Sequence, residues 1–284
     1  MGVRRSDFGG SWYPANESDC RDSIEEFSRA SVPCPSHEKE PVGGIVPHAG
    51  WYFSGKIAYN VIKCLKNNSD PDTFVIFGRH LHPGSSNFIM KEGLWATPFG
   101  DLEIDSDIAE GLVSEFKFTV ETESRYEQDN TIELQLPFIK YLFPDVLIVP
   151  IGVPPAVASL KIGERVAEIA EDIGRKIKVL GSTDLTHYGY NYAFTPKGVG
   201  KEAVDWVKSE NDKRVVDLML EMDTEEIIRE SLINSNACCS GAAATAIAAM
   251  KRMGAAKGER LIYTTSYDIR PDSSFVGYVG AVFY

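Results

Sequence analysis

The sequence predicts an α/β protein: three layers, α/β/α, around a central, mostly parallel sheet. Three observations carry this. Short apolar runs recur at 42–48, 72–78, 145–153 and 176–184, each the length of a strand buried on both faces. Segments of helical periodicity lie between them. The two alternate as strands do when crossover helices join them, which leaves a sheet covered on both sides.

Taken in order, "VGGIVPH" (42–48) is the first buried strand. "SGKIAYNVIKCLKNN" follows as a helix whose Ile57, Tyr59, Val61, Ile62 and Leu65 share a broad face. "DTFVIFG" (72–78) is the second strand. "DSDIAEGLVSEFK" (105–117) and "NTIELQLPFIKYLF" (130–143) read as helices, the latter kinked at Pro137. "DVLIVPIGV" (145–153) is the third strand, "PAVASLKIGERVAEIAEDIG" (155–174) a helix, and "KIKVLGSTD" (176–184) the fourth strand. Helices are expected at 198–220, 224–232 and 240–254. Asp223 is placed to cap the second of these, with Glu226 three residues on. "RLIYTTSYD" and "FVGYVGAVFY" close the sheet. Residues 31–41 read as a loop, and there is no repeat or Gly/Ser/Pro-rich linker, so a single domain over 1–284 is expected.

Composition narrows the function. A net charge of −12 makes the chain a poor partner for nucleic acid or anionic membrane. No apolar run approaches the ~20 residues that span a bilayer. The N-terminus has two arginines without an apolar signal region behind them. The five cysteines, at 20, 34, 64, 238 and 239, are odd in number and irregularly spaced. That is not a secreted disulfide framework, so a reducing, cytoplasmic setting is expected. No CxxC suggests a zinc ribbon.

The chemistry gathers at strand ends. His48 ends "GIVPH", His80 and His82 follow "FVIFG", and His187 follows "VLGSTDL". Ligands of open α/β sheets bind at the carboxyl ends of strands, where histidines from different strands can meet. His37 lies in a polar loop and does not fit. In "GSTDLTHYGY" a turn can bring Asp184 to His187, fixing its tautomer and raising its basicity. The plainer alternative makes Asp184 a helix cap with His187 in the first turn. "NACCSGAAATAIAAM" sets two cysteines before a helix, where the dipole favours a thiolate that could ligate or attack. The plainer alternative buries one or both as packing residues. Asp129 and Glu133 cap a helix or line the cleft. Trp51 and Tyr52 either wall the cleft or belong to the core.

"GGSWYPAN", "VPHAGWYFSG", "LWATPFGDLEID", "DNTIELQLPF", "GSTDLTHYG", "CCSGAAATA" and "DSSFVGYVGAVF" stand in the order of the Memo-like family, and nearly the whole chain resembles it. That family is related in fold to the class III extradiol dioxygenases, so the resemblance implies one metal-centred cleft. Residue by residue it implies His48 as the first metal ligand and Cys239, rather than Cys238, as the third. For the second, counting back from "ATPFGD" selects His80. "GRHLHPGSS" lacks the family's Pro, and counting forward from Gly78 keeps His82 as a rival. Asp184 and His187 match the family's Asp and His beside the metal, in acid–base roles. A thiolate where the dioxygenases place a carboxylate changes the donor set, so ring cleavage does not transfer with the fold.

The resemblance therefore implies one transition metal ion, iron or copper favoured and zinc also accommodated. The first reading is a metal-dependent redox or oxygenase-like enzyme. The second is a metal- or peptide-binding module without turnover. The third is a Cys–His hydrolase with Cys239 as nucleophile and His187 as base. A small-molecule or peptide substrate in the cleft is expected, and self-association is left open.

Overall fold

Every residue of Thr73–Gly78 is buried, and its side chains alternate between two cores: Val75 and Phe77 in one, Phe74 and Ile76 in the other. This is what a continuous apolar run encodes, because the pleat sends successive side chains to opposite, covered faces. The computed structural model describes residues 2–66 and 70–284 and sets this strand inside a nine-stranded sheet.

In chain order the elements are β1 (Val3–Arg4), α1 (Glu17–Arg29), β2 (Gly43–Val46), α2 (Trp51–Cys64), β3 (Thr73–Gly78), β4 (Asn87–Met90), β5 (Leu94–Trp95) and β6 (Leu102–Glu103). Then come α3 (Ser106–Glu115), β7 (Phe118–Glu121), α4 (Asn130–Glu133), α5 (Leu136–Leu142), β8 (Leu147–Gly152), α6 (Val157–Asp172), β9 (Ile177–Ser182) and β10 (His187–Tyr188). The chain ends with α7 (Lys201–Trp206), α8 (Asp212–Glu221), α9 (Thr224–Asn234), α10 (Ser240–Arg252), β11 (Gly258–Thr265), α11 (Ser266–Ile269) and β12 (Phe275–Phe283).

The main sheet runs β10-β12-β2-β9-β3-β8-β4-β7, with β11 also paired to β12. Its centre, β2-β9-β3-β8, is parallel, while β12 and β4 join antiparallel on either side. One face carries α3, α6, α8, α9 and α10; the other carries α1, α2 and α5. β1, β5 and β6 form a small separate sheet. The alanine-rich α10 lies close against its neighbours because small residues meet there. A Cβ at Gly163 would stand 2.2 Å from the Thr245 carbonyl oxygen, and one at Gly241 would stand 2.4 Å from that of Pro154. The second contact fixes the start of α10, and the two cysteines with it.

Several expectations are corrected. The segment 130–143 is two helices, not one kinked helix; Pro137 sits in the first turn of α5, where its missing N–H leaves no broken bond. Residues 201–221 form one helical run with a π-helical stretch at Val207–Asn211. Asp184 caps no helix, since His187 lies in the short strand β10. Trp51 belongs to the core, stacked on Phe138, whereas Tyr52 is exposed. The helix expected from 54 begins earlier, at Trp51; Asn67 and Asn68 of that stretch lie outside the described residues. Cys34 and Cys64, expected as thiols, are joined in a disulfide that ties the loop 31–41 to the end of α2. Asp223 does cap α9, accepting from the Glu226 backbone N–H. Among the described residues no helix is long and apolar enough to cross a membrane.

Candidate metal centre

Three adjacent strands each deliver a side chain at the same offset. Val46, Ser182 and Gly78 end β2, β9 and β3, and two residues beyond them stand His48, Asp184 and His80. The strands are parallel neighbours, so all three groups emerge at one carboxyl edge. The fourth contribution comes from across the edge, where Cys239 caps α10 and Cys238 precedes it. One ligand atom from each of His48, His80, Cys238 and Cys239 lies within 4.8 Å of the others. His82 is exposed and stands outside the group, its N–H donating to Ser85.

The imidazoles are held from behind. His48 Nδ1 lies 2.9 Å from Ser182 Oγ, and Ser182 donates its own proton to the Thr131 carbonyl, 2.7 Å away. Ser182 must therefore accept from His48 Nδ1–H, which leaves the Nε2 lone pair facing the cysteines. Cys238 Sγ is 3.3 Å from that Nε2 and 3.8 Å from Cys239 Sγ. The His48 backbone N–H donates to Asp184, and its carbonyl accepts from Asn130. His80 Nδ1 lies 3.5 Å from Asp129, which also caps α4 by accepting from the Thr131 N–H. With Nδ1 turned to Asp129, Nε2 is the nitrogen His80 offers to the cluster.

His80 reaches the cluster because Arg79 adopts a left-handed φ of 78°. A non-glycine residue held there costs on the order of 1 kcal/mol. A buried ion pair with Glu121 at 2.7 Å and a second with the exposed Glu127 at 2.9 Å hold it, with the guanidinium over Phe88. A Cβ at Gly152 would meet the Arg79 side chain at 2.4 Å, so that glycine makes the room. Sequence reasoning missed Arg79. The signal was the arginine standing where the family motif has proline.

Electrostatics follow the geometry. Burial opposes a charged His80, but the neighbouring Asp129 and Cys238 prevail and lift it to about 10. Burial likewise pushes Asp129 up, yet its bonds with His80 and Thr131 hold it below the usual carboxylate range. Cys238 is pushed up by burial but lowered further by Cys239, His48 and His80, while burial and the neighbouring Cys238 raise Cys239. Of the pair, Cys238 is the more acidic. The sequence singled out Cys239; the structure brings both sulfurs in and gives the imidazole contact to Cys238. His187 is opposed by burial and raised by Asp184, whose Oδ2 lies 3.8 Å from its Nε2. The His187 ring stacks on Tyr192. His37 pairs with Glu259 away from the cluster, and Glu133 is buried against the Asp7 and Phe8 N–H groups and the Tyr13 hydroxyl.

The donor set fits a metal ion. Nitrogen and sulfur ligands sit about 2.1 and 2.3 Å from a bound ion, so two of them can stand at most roughly 4.6 Å apart. The cluster's ligand atoms all lie within 4.8 Å of one another, and the Cys238 pairs at 3.3 and 3.8 Å fall inside that reach. His48, His80, Asp184 and His187 also line a cavity of about 540 Å³ whose walls include Trp12, Tyr52, Phe53 and Tyr278.

A mixed sheet flanked by helices, with two imidazoles and two thiols converging at the carboxyl edge of its parallel centre, defines a candidate metal-binding protein of the α/β class. Residues 4–282 match the family model described as Memo-like protein. The chain belongs to the Memo-like family. It is 35% identical over 292 residues to a MEMO1 family protein of Pyrococcus abyssi and 33% identical over 290 to one of Thermococcus onnurineus, covering 99% of both chains in each case. It is 32% identical to another from Methanopyrus kandleri, covering 96% of each chain. Among solved structures, an uncharacterized protein of Escherichia coli K12 is similar at a TM-score of 0.44 and 12% identity, over 76% of this chain and 87% of that one.

Proposed function

We propose that this protein is a metal-dependent redox or oxygenase-like enzyme with one transition metal ion on His48, His80 and the Cys238–Cys239 pair. The observation that carries the reading is the wiring of His48: Ser182 fixes Nδ1–H, so a ligand lone pair faces two sulfurs and a second imidazole. Such outer partners are what metal-bound histidines use to set tautomer and orientation. Sulfur and imidazole donors suit copper(I), zinc or thiolate-bound iron, and the family resemblance favours iron or copper. When bound, the ion supplies Lewis acidity or one-electron chemistry. The chain's own residues do the rest. The aromatic cavity binds a small molecule or an extended peptide, and Asp184 keeps His187 basic at its wall so that it can hold or deliver a proton. The compartment proposed is the cytoplasm, although the Cys34–Cys64 disulfide argues against a strongly reducing one.

The test is metal analysis of tag-free protein, oxidised and reduced. One ion per chain is expected, with stoichiometric binding lost in a folded His48→Ala protein. Cys238→Ser should weaken binding more than Cys239→Ser. The reverse order would return the ligand to Cys239. A second reading has its own observation, since Cys238 Sγ at 3.3 Å from His48 Nε2 is a nucleophile–base spacing. A chain that binds no metal but acylates at Cys238 would establish a Cys–His hydrolase on Cys238 and His48, in place of the Cys239 and His187 expected from the sequence.

A further inference from the structure

A second cavity, of about 520 Å³, adjoins the cleft. Cys238 lines it, together with Phe194, Ser231, Leu232, Ser235 and Ala237. It shares only His187 and Tyr192 with the first cavity. Those two rings stack at 4.9 Å and 18°, so they form the partition between the two spaces. His48 and His80 line the first cavity, and Cys238 lines the second and not the first. The cluster is therefore reached from two sides, through different walls.

We propose that this second cavity is a binding site for an uncharged, low-molecular-weight thiol or its disulfide, which exchanges with Cys238. The chemistry of the wall selects that class. Among the described residues lining it, none is Asp, Glu, Lys or Arg, and the imidazole there, His187, is already faced by Asp184, so the wall offers no unengaged charge to a charged ligand. The reactive group on offer is a soft sulfur. Of the free cysteines, Cys20 and Cys239 are buried and Cys238 is the one partly exposed. In the exchange the Cys238 sulfur attacks one sulfur of the small disulfide. A bond forms between Cys238 and one half, the old sulfur–sulfur bond breaks, and the other half leaves as thiol with the proton Cys238 gave up. Cys238 is oxidised to the mixed disulfide and the departing half is reduced.

The proposal deepens the reading of the same cluster but does not need a metal, so its test uses the full chain free of metal. The probe is 2-hydroxyethyl disulfide, and adduct formation at Cys238 is followed by peptide mass. Leu232→Trp places a large side chain in the second cavity from an exposed helix position. Ala49→Trp obstructs the first. Adduct formation should slow by about tenfold in Leu232→Trp and stay close to the parent rate in Ala49→Trp, since access governs thiol reactivity. Leu232→Phe makes the smaller intrusion at the same position and serves if Leu232→Trp does not fold. Slowing in Ala49→Trp alone, equal slowing in both, or no adduct at Cys238 would each overturn the proposal. A chain that binds no metal can still pass, and a metal-loaded one can still fail.

Discussion

Asp129→Asn isolates the group that holds His80. The change keeps the side chain's size and its acceptor toward the Thr131 N–H, and Asn caps helices about as well as Asp does. The fold should therefore lose less than about 1 kcal/mol. What disappears is the negative charge 3.5 Å from His80 Nδ1, on a carboxylate whose side chain is only 13% exposed. Losing such an outer partner weakens metal binding by about 10- to 100-fold. The 3.5 Å separation is long for a hydrogen bond, which places the expectation near the lower end, about tenfold, or roughly 1.4 kcal/mol. The assay is competition for the metal against a chromogenic chelator, with thermal unfolding of the metal-free protein as the control. A dissociation constant equal to the parent's would show that Asp129 does not support a ligand. A tenfold loss with a parallel drop in unfolding temperature would make Asp129 structural.

Three further outcomes are expected. His80→Ala should lose metal while His82→Ala keeps it, as their places relative to the cluster require; the opposite pattern would move the ligand to His82. Asp212 is fully buried, accepting from Thr186 and Tyr263, and burial raises its carboxyl from 3.8 to about 6. The folded state then holds that proton more tightly, so the contribution is fully present below the unfolded value and is lost as pH rises through about 6. The loss amounts to roughly 3 kcal/mol. Asp212→Asn should flatten this step in a stability–pH profile, and a step of unchanged height would exclude Asp212 as its source. Reducing Cys34–Cys64 opens a link across 30 residues. It should lower unfolding stability by about 3–4 kcal/mol on the chain-entropy account; denaturation with and without reductant, against Cys34→Ser, checks this.

Much of the architecture was written locally. The runs at 42–48, 72–78, 145–153 and 176–184 became β2, β3, β8 and β9, because four to six consecutive buried residues admit little but a strand covered on both faces. His48 and His80 were legible for the same reason, each standing just past such a run. The short strands β4, β7 and β10 were not legible, since their pairing is supplied by neighbours and not by their own pattern.

The sequence by itself determined which residue types reach the sheet's carboxyl edge. Only the tertiary structure decided how they meet there. It placed β9 between β2 and β3, so that His48, Asp184 and His80 share one edge. It gave the imidazole contact to Cys238 when the motif pointed to Cys239, because the cap of α10 turns one sulfur toward His48 and leaves the other buried beside it. It paired Cys34 with Cys64, which their spacing could not show. These outcomes rest on contacts between segments far apart in the chain, and periodicity and motif register only the local backbone state.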